Sequence, residues 1–192
     1  MERKRIAIMA SGSGTNAENL MQYFSQHRNA CIALVLTNNA AAGVISRAQQ
    51  CHVPCVVMSQ QQVKNGADML QLLGSYDIDW VVLAGYLKLM PPEVVEAYRH
   101  RMINIHPSLL PDFGGKGMYG NKVHEAVLQS GATQSGITIH YVNEHFDKGE
   151  IVFQKQIPVI SGETPEQLAQ RIHQLEYEYY PKVVEQLMQP VI

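Results

Sequence analysis

Cysteine is scarce in this chain, three residues in 192, at positions 31, 51 and 55. An odd number without a paired framework excludes a disulfide-stapled scaffold and points to a reducing, cytoplasmic compartment. Cys51-His52-x-x-Cys55 carries soft ligands, but Pro54 interrupts it and no second cluster answers it. Buried structural thiols are therefore expected there, and no metal. Neither sign of charge prevails: 15 Lys and Arg face 17 Asp and Glu, a formal net charge of −2. That balance gives no reason to expect a nucleic-acid partner. Long hydrophobic runs are missing too. The stretches "RIAIMA" and "WVVLAGYLKLM" are too short to cross a bilayer, so no membrane partner is expected. The opening "MERKRIAIMASGSG" is basic and then apolar, as a secretion signal is. Its apolar part lasts only a few residues before a glycine turn, which reads as a first strand. No internal repeat or low-complexity segment stands out.

What is present is ordinary globular composition, 46% hydrophobic and 17% charged, in a length suited to a single core. Short apolar runs alternate with longer helical patterns. "KRIAIMA" precedes a helix from about Thr15 to His27. "CIALVL" precedes a helix near Gly43 to Gln50, and "CVVM" one near Ala67 to Ser75. "DWVVLAG" leads to "PPEVVEAYRH" and then to "MINIH". Strand-helix alternation of this kind predicts an α/β fold: a Rossmann-like open twisted sheet, mostly parallel, with helices on both faces. After Gly120 the pattern changes. "TQSGITIHYV" and "GEIVFQKQIPVI" alternate polar and apolar residues, predicting an antiparallel strand pair near the C-terminus. A long last helix opens at "SGETPEQL", with Thr164 as N-cap and Pro165 in the first turn. "LLPDFGGKGMYGNK", with glycines at 114, 115, 117 and 120, predicts a loop over residues 112–122 beside the fifth strand.

Two places carry chemistry. In "MASGSGTNAENL", Gly12 and Gly14 allow a sharp strand-to-helix turn, and the amides of Gly14, Thr15 and Asn16 point outward at the positive end of a helix. The spacing partly matches a dinucleotide fingerprint. The next strand ends "LVLTNN", without the acidic residue that would hold an adenosine ribose, so a single phosphate is the better ligand. A tight turn capped by Ser13 or Thr15 and binding nothing is the plainer alternative. The second place is "RMINIHPSLLP". Alternation sends Ile103 and Ile105 to one face and Asn104 and His106 to the other, and Pro107 ends the strand. Open parallel sheets collect ligands beyond their carboxyl ends, so this pair faces a pocket. Ser108 lacks the strained elbow of a nucleophile, and Asn beside His suits oxyanion stabilisation. Keeping His106 protonated near neutral pH calls for a carboxylate, with Asp112, Glu144, Asp147 and Glu150 as candidates.

The segments "SGSGTN", "VVLAGYLKLMP", "INIHPSLLP", "GITIHYV", "FDKGEIVFQ" and "LEYEYYP" occur in the order seen in phosphoribosylglycinamide formyltransferases, and the chain resembles this branch of the folate-dependent formyltransferases over nearly its whole length. The resemblance implies a single formyltransferase domain over residues 1–192. Its phosphate-binding part lies at about 1–100, and its catalytic and folate-binding part at about 101–192. It implies Asn104, His106 and Asp147 as catalytic residues. Gly14, Thr15 and Asn16 would bind the substrate phosphate, and Glu176 the ribose. Leu87, Lys88, Leu89, Met90 and Asn104 would line the folate pocket, closed by backbone of the Tyr141 to Asp147 stretch. The reaction implied is formyl transfer from 10-formyltetrahydrofolate, as co-substrate, to the amine of 5-phosphoribosylglycinamide in purine (IMP) biosynthesis, by a monomer or homodimer without a metal. Lys88 stands where an arginine is common, and the arginine expected near the third helix is missing, leaving Lys64 as the only nearby cation for a folate tail. A hydrolase of the same folate and a non-catalytic nucleotide-binding module are the competing readings.

Overall fold

A computed structural model describes residues 3–189. The elements run β1 (Lys4–Met9), α1 (Thr15–Phe24), β2 (Ala30–Thr37), α2 (Val44–Gln50), β3 (Cys55–Val57), α3 (Gln60–Lys64), α4 (Gly66–Ser75), β4 (Trp80–Leu83), α5 (Pro92–Ala97), β5 (Met102–His106), α6 (Asn121–Gln129), β6 (Gln134–Tyr141), β7 (Ile151–Pro158) and α7 (Pro165–Met188). The strands form one sheet in the order β3-β2-β1-β4-β5-β6-β7. The first five are mutually parallel, and β6 and β7 add antiparallel, as the sequence predicts.

Two apolar layers hold the helices to the sheet. Along β1, Ile6 and Ile8 enter one layer with Phe24, Val82, Ile103 and Tyr180, while Ala7 and Met9 enter the other with Leu34, Met69 and Leu73. Period-two alternation thus fills both faces, which is why the central strands read as unbroken apolar runs. The strand order reverses between β1 and β4, where the chain, having built outward to β3, returns to the far side of β1. The carboxyl ends of β1, β4 and β5 flank that crevice, the usual place for a ligand in such a sheet.

The last helix ties the two ends of the chain together. Its start is a capping box in which Thr164 and Gln167 exchange side-chain and backbone hydrogen bonds, with Pro165 in the first turn. The helix runs through Pro181, and the fully buried Tyr180 donates its hydroxyl hydrogen to the Leu83 carbonyl, 2.8 Å away. Two helices were not foreseen. The short α3 opens on a capping box between Ser59 and Gln62. The longer α6 includes Asn121 and Lys122, which the sequence reading left in the glycine loop. Among the described residues, no helix is long and apolar enough to cross a membrane.

Candidate active site

The tip of β5 forms as its alternation dictates. Ile103 and Ile105 lie in the core, and Asn104 and His106 share the opposite face, His106 only 4% exposed. Both border a cavity of about 520 Å³ that also meets Gly14, Thr15, Asn16, Leu87, Asp147 and Glu176. Residues from both ends of the chain thus meet in one cavity.

Asp147 sits at the centre of the polar cluster. Its Oδ2 lies 3.5 Å from His106 Nδ1 and accepts the Gly115 amide hydrogen at 2.9 Å. Its Oδ1 faces Asn104 Nδ2 at 3.4 Å and His140 Nε2 at 3.6 Å. Of the four candidate carboxylates, Asp147 is the one that reaches His106. Burial alone would raise the Asp147 pKa. The nearby His140 and His106 rings and the Gly115 amide outweigh it, and hold the carboxyl below its ordinary 3.8.

The expectation that Asp147 keeps His106 protonated is corrected here. His106 Nε2 donates to the Phe113 carbonyl at 2.8 Å, and that carbonyl and Asp147 both favour the charged ring. Desolvation is the larger effect, because the ring is almost wholly enclosed, and the pKa falls below the ordinary 6.5. The imidazole is neutral near pH 7, with its hydrogen on Nε2 because a carbonyl can only accept. Asn104 also differs from expectation. Its amide hydrogens point to His140 Nε2, at 3.1 Å, and to Asp147 Oδ1. Neither is a free donor; the hydrogen at the longer contact is the one a new acceptor can take.

At the other end of the cavity the glycine turn opens α1. Gly14 has φ 78°, and a Cβ there would stand 2.5 Å from the Val44 side chain, so conformation and space both require glycine. It is the N-cap and has no side-chain cap, so neither Ser13 nor Thr15 closes the helix as the plainer alternative supposed. Amides in the first turn of a helix have no partner within it, which leaves those of Thr15 and Asn16 available to an anion. The Asn16 side chain donates to Glu176 Oε2 at 2.8 Å, and the same oxygen meets His173 Nδ1 at 2.8 Å. The Glu176 hydrogen bond raises the His173 pKa above 6.5.

The segment after β4 divides between spaces. Leu87 borders the main cavity, and Lys88, Leu89 and Met90 border a neighbouring pocket of about 360 Å³. Lys64 borders that second pocket as well, so the structure brings together the two lysines that the resemblance put on the folate side. A small recess of about 50 Å³ joins Leu89 and Met90 to Asn104, Val142 and Asp147, placing the 141–147 stretch against the same edge. Among the described residues, no group of three or more His, Cys, Asp or Glu side chains is arranged to hold a metal ion.

Three histidines escaped the sequence reading. His173 and His124 flank the Glu176 end of the cavity, and His124 is buried with Nδ1 unpaired and its pKa pushed down by desolvation. His140 lies directly opposite Asn104 across the β5–β6 pair. Its signal was present in "GITIHYV", where alternation puts it on one face with Thr138; reading it required the strand register.

A protein family described as "Formyl transferase" matches residues 4–184. A Bacillus subtilis phosphoribosylglycinamide formyltransferase is 35% identical over 190 residues, 96% of this chain and 95% of its own. The chloroplastic Arabidopsis thaliana protein of that name is 43% identical over 95% of this chain, but the chain spans only 64% of its length, and 62% of the Vigna unguiculata counterpart. Among solved structures, glycinamide ribonucleotide transformylase 1 from Geobacillus kaustophilus superposes with a TM-score of 0.88 at 36% identity, covering 98% of this chain and all of that one. With this match running from β1 into the last helix, the chain belongs to the formyl transferase family, in the company of its phosphoribosylglycinamide formyltransferases.

Proposed function

We propose that the protein transfers a formyl group from 10-formyltetrahydrofolate to the amine of 5-phosphoribosylglycinamide, in purine biosynthesis, and works in a reducing cytoplasmic compartment. One observation carries the reading: a phosphate-suited helix start with a buried carboxylate, Glu176, shares a single cavity with the Asn104–His106–Asp147 cluster. The cavity wall fits polar substrates. Asn16 Oδ1, Tyr86 OH and His124 Nδ1 border it, buried and without a partner, a condition that a bound ligand's hydroxyl, amine or phosphate groups would relieve.

In this reading the amides of Gly14, Thr15 and Asn16 take the phosphate, and Glu176 takes the ribose hydroxyls. Leu87, Lys88, Leu89 and Met90 line the folate side, and Lys64 and Lys88 face the carboxylates of its tail across the second pocket. The neutral amine attacks the formyl carbon. A C–N bond forms to it as the C–N bond to the folate nitrogen breaks, and the proton shed by the amine ends on that nitrogen. In between, the carbonyl oxygen gains negative charge. His106 Nε2–H, now spent on the Phe113 carbonyl, and the loosely held Asn104 hydrogen are the donors within reach of that charge. Asp147 faces the opposite nitrogen of His106, which carries no hydrogen in the neutral ring, and favours a proton there, and so positive charge on the ring, as the oxyanion develops. No covalent enzyme intermediate is required.

The test is an assay of the purified protein with both substrates, each omitted in turn. Formylated ribonucleotide should form only when both are present. Formate released at the full rate without ribonucleotide would instead identify a hydrolase.

A further inference from the structure

Asn104 has its amide held by a buried side chain of the neighbouring strand. His140, buried on β6, is its cross-strand partner. The Nδ1 of His140 lies 2.8 Å from the Tyr141 carbonyl oxygen, which can only accept, so the ring hydrogen resides on Nδ1. In the neutral ring Nε2 then carries a lone pair, and Asn104 Nδ2 stands 3.1 Å from it. Exchanging the amide's nitrogen and oxygen would set its oxygen against that lone pair and against Asp147 Oδ1, two repulsive contacts in a buried site.

We propose that His140 is a positioning residue: its lone pair takes one amide hydrogen of Asn104 and so turns the second toward the oxygen that gains charge in formyl transfer. The proposal rests on the formyl-transfer reading for its kinetic consequence, and on geometry alone for the tautomer.

The turn before β7 completes the device. Gly149 packs against the Tyr141 carbonyl so tightly that a Cβ would lie 1.6 Å from its oxygen and 3.2 Å from His140 Nδ1. Any side chain at 149 displaces the carbonyl that fixes the His140 tautomer. The spacing Asp147-x-Gly149 therefore delivers two parts to one cluster, the carboxylate itself and the clearance that keeps the acceptor of His140 in place.

Two measurements test this. In ligand-free protein, the ¹⁵N shifts of the His140 ring should show a protonated Nδ1 and an unprotonated Nε2; an Nε2–H tautomer overturns the proposal whatever the activity. In the formyl-transfer assay, His140→Phe should lower kcat by about 10²-fold, the usual scale for a displaced catalytic group, with KM for both substrates nearly unchanged. His140→Gln, which restores an acceptor near Nε2, should recover most of that loss. Asn104→Ala/His140→Phe should be no slower than Asn104→Ala alone, because His140 acts through Asn104. Losses that multiply in the double variant, or a kcat unchanged in His140→Phe, overturn it. Should His140→Phe fail to fold, the Gln variant and the ring shifts still decide. A wild-type protein without transfer activity refutes the functional reading and leaves the tautomer result standing.

Discussion

His106 is pressed between the carbonyl of Phe113 and the carboxylate of Asp147, inside walls that exclude water. The acceptors favour its charge and the desolvation opposes it more strongly, so its titration should be centred below 6.5 while that of His173, bound to Glu176, is centred above. The stability consequences have opposite signs. For His106, the unfolded chain binds its proton first as pH falls. Its contribution is therefore complete above about 6.5 and is lost as pH drops through that value toward the folded pKa. For His173, the contribution is complete below 6.5 and is lost as pH rises through the folded pKa. Histidine ring titrations by NMR check both. Asp147→Asn should move the His106 midpoint lower still, and a midpoint that stays or rises would refute the coupling. The same variant, and His106→Ala, should reduce turnover by about 10²–10³ without loss of folding, since each removes stabilisation that matters mainly in the transition state. At this scale the sequence was informative wherever alternation alone placed a side chain, as for Asn104 and His106. The charge state of His106 was not legible, because it depends on how much water the loop around Phe113 excludes.

The helices show a similar division. Thr164, with Pro165 directly after it, marked the start of α7 in the sequence, and the structure adds Gln167 as its capping partner. Thr164→Ala should lower stability by about 1 kcal/mol, the usual worth of such a cap, measured by urea unfolding. A loss below a few tenths would mean that packing of α7, not its cap, sets where it begins. By contrast α6 starts at Gly120, φ 55°, with no side-chain cap, directly after a glycine-rich run that reads as loop. Its fully buried apolar residues are Val123 and Val127, four apart, beside the buried His124 and the half-buried Leu128, too few apolar positions to signal a helix in isolation. That helix carries His124, so missing the element also concealed the residue. The strand pair β6–β7 was legible as a pair. The opposition of Asn104 and His140 depended on how β6 slides against β5, which periodicity alone leaves open.

Over the whole molecule, we propose that the division into a phosphate-binding part and a catalytic part is one of labour and not one of stability. The last helix bridges both parts. Glu176 meets Asn16 of α1, Glu185 binds Tyr23 and His27 beside the same helix, and Tyr180 bonds the end of β4. Removing α7 from either part would expose the core layer shared by Ile6, Phe24, Ile103 and Ile139. Both parts should therefore unfold together. The single tryptophan, Trp80 on β4, reports the first part through its fluorescence, and helical circular dichroism is weighted toward the long α7 at the far end of the chain. The two signals should give one superimposable urea transition. Saturating phosphoribosylglycinamide should move both midpoints equally, because its proposed contacts at Gly14 and Glu176 come from opposite ends of the chain. Two separated midpoints, or a ligand shift seen by only one signal, would show that the halves are distinct folding units and that the site lies on a boundary between them.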